Sequence, residues 1–156
     1  MADSKKAYQT VIDSFDAMNW HYNRDDKEQV VTCKVKGDDL TMNILFKVIP
    51  DREIMYVKSA MPFTVAQDKL MPMCVAVTIA NYTMLNGSFE LDLSDGYLGF
   101  KIVTPFYGSA VTQELCTYMI NLTCKMVDIY NDKFLDVAEG RMSLNEFREF
   151  AQTALD

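Results

Sequence analysis

Two stretches of strict apolar and polar alternation, each broken by a short turn signal, constrain this chain more than any other feature. In the first, Val31, Cys33 and Val35 alternate with Thr32, Lys34 and Lys36; Gly37-Asp38 follows, and Leu40, Met42, Ile44, Phe46 and Val48 alternate with Thr41, Asn43 and Lys47. In the second, Phe89, Leu91 and Leu93 alternate with Glu90 and Asp92, Asp95-Gly96 follows, and Leu98, Phe100 and Ile102 resume the pattern. A period of two sends successive side chains to opposite faces, so each stretch reads as a hairpin with one apolar face. A two-residue Gly37-Asp38 loop sets Val35 opposite Leu40, Cys33 opposite Met42 and Val31 opposite Ile44, with Lys34 opposite Thr41 and Thr32 opposite Asn43 on the other face. A two-residue Asp95-Gly96 loop sets Leu93 opposite Leu98, Leu91 opposite Phe100 and Phe89 opposite Ile102, with Glu90 against Lys101. Slipping either register by one residue scrambles both faces. Pro50-Asp51 turns the chain into a third strand, Glu53 to Met61, which Pro62 ends.

Elsewhere the period is helical. Ala7, Tyr8, Val11, Ile12, Phe15 and Met18 form one stripe from Asp3 to about Asn19, with Asp3 or Ser4 available as N-cap. Thr64-x-x-Gln67 fits a capping box for a helix from about Thr64 to Leu85, stopped by Asn86-Gly87. Pro72 inside it requires a kink or a restart near a helix N-terminus, and the β-branched run Val75, Val77, Thr78, Ile79 leaves a strand as the alternative. Ser109 is placed to cap a long helix with the stripe Leu115, Met119, Leu122, Met126 and Ile129, running to about Ala138. Ser143-x-x-Glu146 is a second capping box, and Leu144, Phe147, Phe150, Ala151 and Leu155 give the last helix an apolar face. The expected fold is therefore α+β, with an antiparallel five-stranded sheet in the order α-β-β-β-α-β-β-α and a further C-terminal helix. At 156 residues and 49% hydrophobic content the chain can bury a complete core without metals or disulfides, as a single domain over 1–156 with 141–156 as a helical extension.

One segment carries a family resemblance. Asn81-Tyr82-x-x-Leu85-x-Gly87-x-Phe89-Glu90-x-Asp92-x-x-Asp95-Gly96-x-x-x-Phe100 resembles the hallmark of the YbjN-like family, whose fold is similar to that of type III secretion chaperones. The resemblance implies a small acidic, non-enzymatic, dimeric protein that handles other polypeptides or takes part in sensory regulation. No catalytic residues come with it. Asn81 and Gly87 carry over as the end of the helix, and Asp95 and Gly96 as the hairpin turn.

The residues themselves offer little chemistry. The single histidine, His21, lies between Trp20 and Tyr22, where a metal site needs further ligands from distant carboxylates or cysteines, and Cys116 and Cys124 lie about 12 Å apart along a helix, too far to share one metal ion. Asp25-Asp26, Asp38-Asp39 and Asp92-x-x-Asp95 fall at turns, where aspartate caps backbone amides, and no glycine-rich phosphate loop is present. No cofactor and no enzymatic activity are expected. The net charge of −7 repels phosphate backbones and anionic lipid, so nucleic acid and membranes are not expected partners. The polar first residues lack the apolar core of a secretory signal, and four cysteines without a Cys-x-x-Cys pair suit a reducing cytosol, so the expected location is cytoplasmic. Val30, Leu45 and Tyr56 stand out because the register assigns them to the polar sheet face beside Lys34, Thr41, Asn43 and Lys58. They are the candidate partner-binding residues, unless the second helix covers them. The expected partner is a polypeptide bound by a homodimer; the alternative is a small-molecule sensor or carrier using space between the sheet and the kinked helix.

Overall fold

The computed structural model describes residues 2–154. Helix α1 (Ala2–Ala17) leads into strands β1 (Tyr22–Asp25), β2 (Val30–Lys36), β3 (Thr41–Ile49) and β4 (Ile54–Thr64). Then come α2 (Leu70–Tyr82), the hairpin β5 (Ser88–Leu91) and β6 (Tyr97–Pro105), the long α3 (Gln113–Ala138) and α4 (Leu144–Thr153). The sheet is antiparallel throughout, in the order β1-β2-β3-β4-β6-β5. It has six strands where five were expected. The extra one, β1, is four residues long and exposed at three of them, so no apolar alternation announces it; its pairing to β2 alone marks it as a strand.

Both expected hairpin registers are displaced by two residues. Val35 pairs with Met42, Cys33 with Ile44, Val31 with Phe46 and Lys34 with Asn43, around a four-residue turn closed by the Gly37 N–H donating to the Leu40 carbonyl at 2.8 Å. In the second hairpin Leu91 pairs with Leu98, Phe89 with Phe100, Glu90 with Gly99 and Ser88 with Lys101. Residues 92–96 form its loop: the Asp92 carboxylate accepts from the Ser94 N–H and hydroxyl, and Leu93 leaves the sheet for solvent. An even displacement keeps every side chain that remains paired on its expected face, and for that reason periodicity cannot detect it. Glu90 and Lys101 still form an ion pair, reached diagonally.

Pro62 does not end its strand. β4 continues to Thr64 through an irregular stretch in which pairing passes from Ala60–Gly99 to Thr64–Tyr97, and a strand tolerates proline at such a bulge. Thr64 is therefore no helix cap. A single 3-10 turn, Gln67–Lys69, precedes α2, and Pro72 falls in the first turn of that helix, where its missing N–H has no intrahelical acceptor. The restart expected from Pro72 is thus the form observed. α2 ends at Tyr82, with Thr83 rather than Asn86-Gly87 at its C-cap. α1 already runs from Ala2, so neither Asp3 nor Ser4 stands ahead of it as a cap. Thr112, not Ser109, caps α3 by accepting from the Leu115 N–H. The Ser143–Glu146 capping box forms as expected, while Leu155 lies outside the described residues.

The helices that contact the sheet pack on the face bearing Val31, Ile44, Phe46, Val57, Phe100 and Ile102, all buried. α3 is the central strut, touching β3, β4 and β6 as well as α1, α2 and α4. Its buried stripe runs through Cys116, Met119, Ile120, Thr123, Met126, Val127, Tyr130 and Phe134, with the expected Leu115, Leu122 and Ile129 on its flank. Near the C-terminal end of α3, Phe89, Tyr130, Phe134 and Phe147 pack with ring centroids 4.9–6.1 Å apart, joining β5, α3 and α4.

Candidate interaction surfaces

The sheet face opposite the helices carries the second set of alternating side chains. Cross-strand pairing arranges them in rows: Thr32, Leu45, Lys58, Lys101 and Ser88 in one, and Val30, Lys47, Tyr56 and Val103 in the next. Ile49 and Ile54 pair at the margin. Val30, Leu45 and Tyr56 thus share this face and are each half-buried, with Lys47 between Val30 and Tyr56. α2 does not lie over them. Its inward residues Leu70, Met73, Ala76, Val77 and Ala80 are buried in the core on the other side, filling the space between sheet and helix that the small-molecule alternative needed.

Two shallow depressions mark the face. One of about 710 Å³ lies over β1, β2 and β3 and is lined by His21, Asn23, Thr32, Lys34, Asn43 and Leu45, among others. The other, about 280 Å³, lies over β4 and β6 and includes Ile54, Tyr56, Lys58, Lys101 and Val103. Neither is enclosed, a form that suits a segment of polypeptide better than a fully surrounded small molecule.

A second surface was not anticipated. α2 has no charged residue along its whole length, yet Met71 is 73% exposed, Tyr82 is 91% exposed and Val75 is also exposed. With Thr78 they form one outward stripe at helical spacing, and beyond it Leu85 is fully exposed and Tyr118 of α3 partly so. A helix apolar on all sides belongs in an interior, so an outward apolar stripe here is unusual. Its signal in the sequence is the absence of any Asp, Glu, Lys or Arg from 70 to 82.

Elsewhere the polar residues have structural occupations. Asn81 does not end its helix: its amide donates to the Phe89 carbonyl at 3.0 Å and accepts from the Phe89 N–H at 2.7 Å, filling hydrogen bonds on the free edge of β5. Gly87 lies in the loop beyond, with φ +74° and the Phe100 ring where a side chain would stand. Asp25 caps the Lys27 and Glu28 amides, and Asp95 caps that of Tyr97. Burial pushes the thiols of Cys33 and Cys116 up to about 11 and that of Cys124 up to about 12, the opposite of what a nucleophile or metal-binding thiolate requires. Among the described residues no group of three or more His, Cys, Asp or Glu side chains gathers as a metal site, and no helix is long and apolar enough to cross a membrane.

No protein-family model and no curated protein sequence matches the chain. Among solved structures it is similar to YbjN, a proposed transcription regulator from E. coli, with a TM-score of 0.62 at 13% identity, covering 85% of this chain and 92% of that one. It is also similar to a chain of the ExsC–ExsE complex, with a TM-score of 0.58 at 11% identity, covering 83% and 93%. At such identities the likeness is one of fold.

Proposed function

From a YbjN-like, type III secretion chaperone-like fold, we propose that this chain is a non-enzymatic interaction module that binds a polypeptide, in a chaperone-like or regulatory role. The observation that carries the reading is the bare sheet face, where the half-buried Val30, Leu45 and Tyr56 stand beside two open depressions with no layer of protein above them. Likeness to a chain of a two-protein complex supports it. So do the turn hydrogen bonds of Asp25 and Asp95 and the raised thiols of Cys33, Cys116 and Cys124, which give those groups a structural place.

A photoreactive amino acid introduced at Leu45 and at Val103, with exposed Gln9 of α1 as control, tests the proposal in native cytosol. Polypeptide adducts at the sheet positions and none at Gln9 are expected. Equal labelling at all three, or none at the sheet, overturns it.

The module is proposed to work as a cytoplasmic homodimer and as one domain over 1–156. The outward stripe of α2 supports the dimer, because an uncharged helix can pack on its own copy about a two-fold axis without burying an unpaired charge. The shared ring cluster of Phe147 with Tyr130 and Phe134 supports including α4 in the domain. Size-exclusion chromatography with light scattering should give twice the 17.8 kDa chain mass at micromolar concentration, and half that for Val75→Glu/Tyr82→Glu. A monomeric parent removes the dimer.

A further inference from the structure

Charge is distributed very unevenly over this molecule. The outward strand positions hold Lys34, Lys36, Lys47, Lys58 and Lys101, five of the 15 Lys and Arg residues in the chain. Among the outward strand positions only Asp25 and Glu90 are acidic, two of 22 acids, which leaves ten cations against twenty carboxylates in the rest of the chain, the adjoining Glu28 and Asp92 among them. Asp25 is occupied with turn amides, Glu28 with Lys47 at 3.8 Å and Glu90 with Lys101. Lys34, Lys36 and Lys58 have no ion pair among the described residues. Moreover, Lys58 and Lys101 stand directly opposite each other across β4 and β6, a like-charge pairing that weakens a sheet. A basic face is thus held on an acidic protein at some cost in stability, and its lysines alternate with Leu45, Tyr56, Val103 and Ile54.

We propose that the bare sheet face recognises an acidic polypeptide segment interspersed with apolar side chains. This rests on the reading that the face binds a polypeptide, and it names the chemistry of that partner. Carboxylates meet the unpaired lysines while Leu, Ile or Phe side chains fill the depressions around Leu45 and Tyr56. A nucleic acid fits less well: its dense charge is repelled by the strongly acidic remainder of the molecule, and a phosphate backbone leaves Val30, Leu45 and Val103 between the lysines without an apolar partner.

Panning a random 16-residue peptide library against the immobilised full chain tests this. Enriched peptides should be rich in Asp and Glu interleaved with Leu, Ile and Phe. A labelled representative should bind at least tenfold more weakly to Lys34→Glu/Lys58→Glu, and several-fold more weakly at high than at low salt, the behaviour of exposed charge pairs. Both lysines are free of ion pairs and Lys58→Glu removes the like-charge pairing with Lys101, so the variant should keep or raise the parent urea midpoint. Enrichment of basic or uncharged peptides whose binding is lost in Leu45→Asn overturns the acidic assignment and leaves the binding face standing. No enrichment, or binding indifferent to both variants, removes both. Tighter binding of a twenty-residue oligothymidylate than of any peptide, or a dimer split by the charge reversal, overturns the assignment in favour of nucleic acid or a second copy.

Discussion

Asn81 is the residue whose role depends most on its surroundings. From sequence it resembled a helix terminator; in the fold its amide supplies the donor and acceptor that a neighbouring strand would present to Phe89. Asn81→Ala leaves both backbone groups of Phe89 unpaired in a part-buried place, at an expected cost of about 1–3 kcal/mol in urea unfolding. Asn81→Asp should recover little, because a carboxylate repels the Phe89 carbonyl it must face. A second residue-scale effect follows from the raised proton affinities of Cys33 and Cys116, pushed by burial from the ordinary 9 to about 11, and of Tyr8, pushed chiefly by burial from 10 to about 12. The folded chain holds these protons where the unfolded chain has released them, so their stabilisation is complete below pH 9 and is lost as pH rises through 9 to 12. The urea midpoint should be flat from pH 7 to 8.5 and fall steadily above 9; a midpoint unchanged at pH 11 contradicts it.

At the scale of elements, what could be read from the sequence and what could not separate cleanly. Strict alternation in β2, β3, β5 and β6 placed the paired side chains of both hairpins on their observed faces, Val30 and Leu45 included, and the alternation of β4 did the same for Tyr56. It left each register two residues out, because the faces are indifferent to an even shift and the turn contacts that decide it come from distant residues. The Asp38 N–H donates to Asp128 of α3 at 2.9 Å, and Gly96, at φ +75°, lies against the Val65 carbonyl at the end of β4. β1 was invisible for a related reason: pairing defines it, and pairing is non-local. Helix caps fared unevenly. Ser143-x-x-Glu146 lies after a glycine turn and forms, whereas Thr64-x-x-Gln67 is preceded by a strand that continues into it. α4 is no appendage: Phe147 is fully buried among Tyr130, Phe134 and Phe150. Phe147→Ala should cost about 3–5 kcal/mol, a large part of the stability of a domain this size, seen as a drop in the urea midpoint with loss of near-ultraviolet aromatic dichroism.

The whole molecule is a two-layer structure with its helices on one side, and the two sides divide the chemistry. Net charge described the average and concealed the distribution: −7 overall repels a polyanion at long range, but does not disclose a lysine-rich sheet on the far side from the helices. Reading the alternation for its polar members as well as its apolar ones exposes that face, since Lys34, Lys36, Lys47, Lys58 and Lys101 all share the outward parity. The plugged border at Phe89 matters on this scale as well. An open sheet normally has two ends at which another molecule's strand can add, and a body with two such ends can grow into a chain of unlimited length. With the Asn81 amide seated on Phe89 at one of them, an arriving strand must displace that side chain before it can pair there, which disfavours growth through the β5 border.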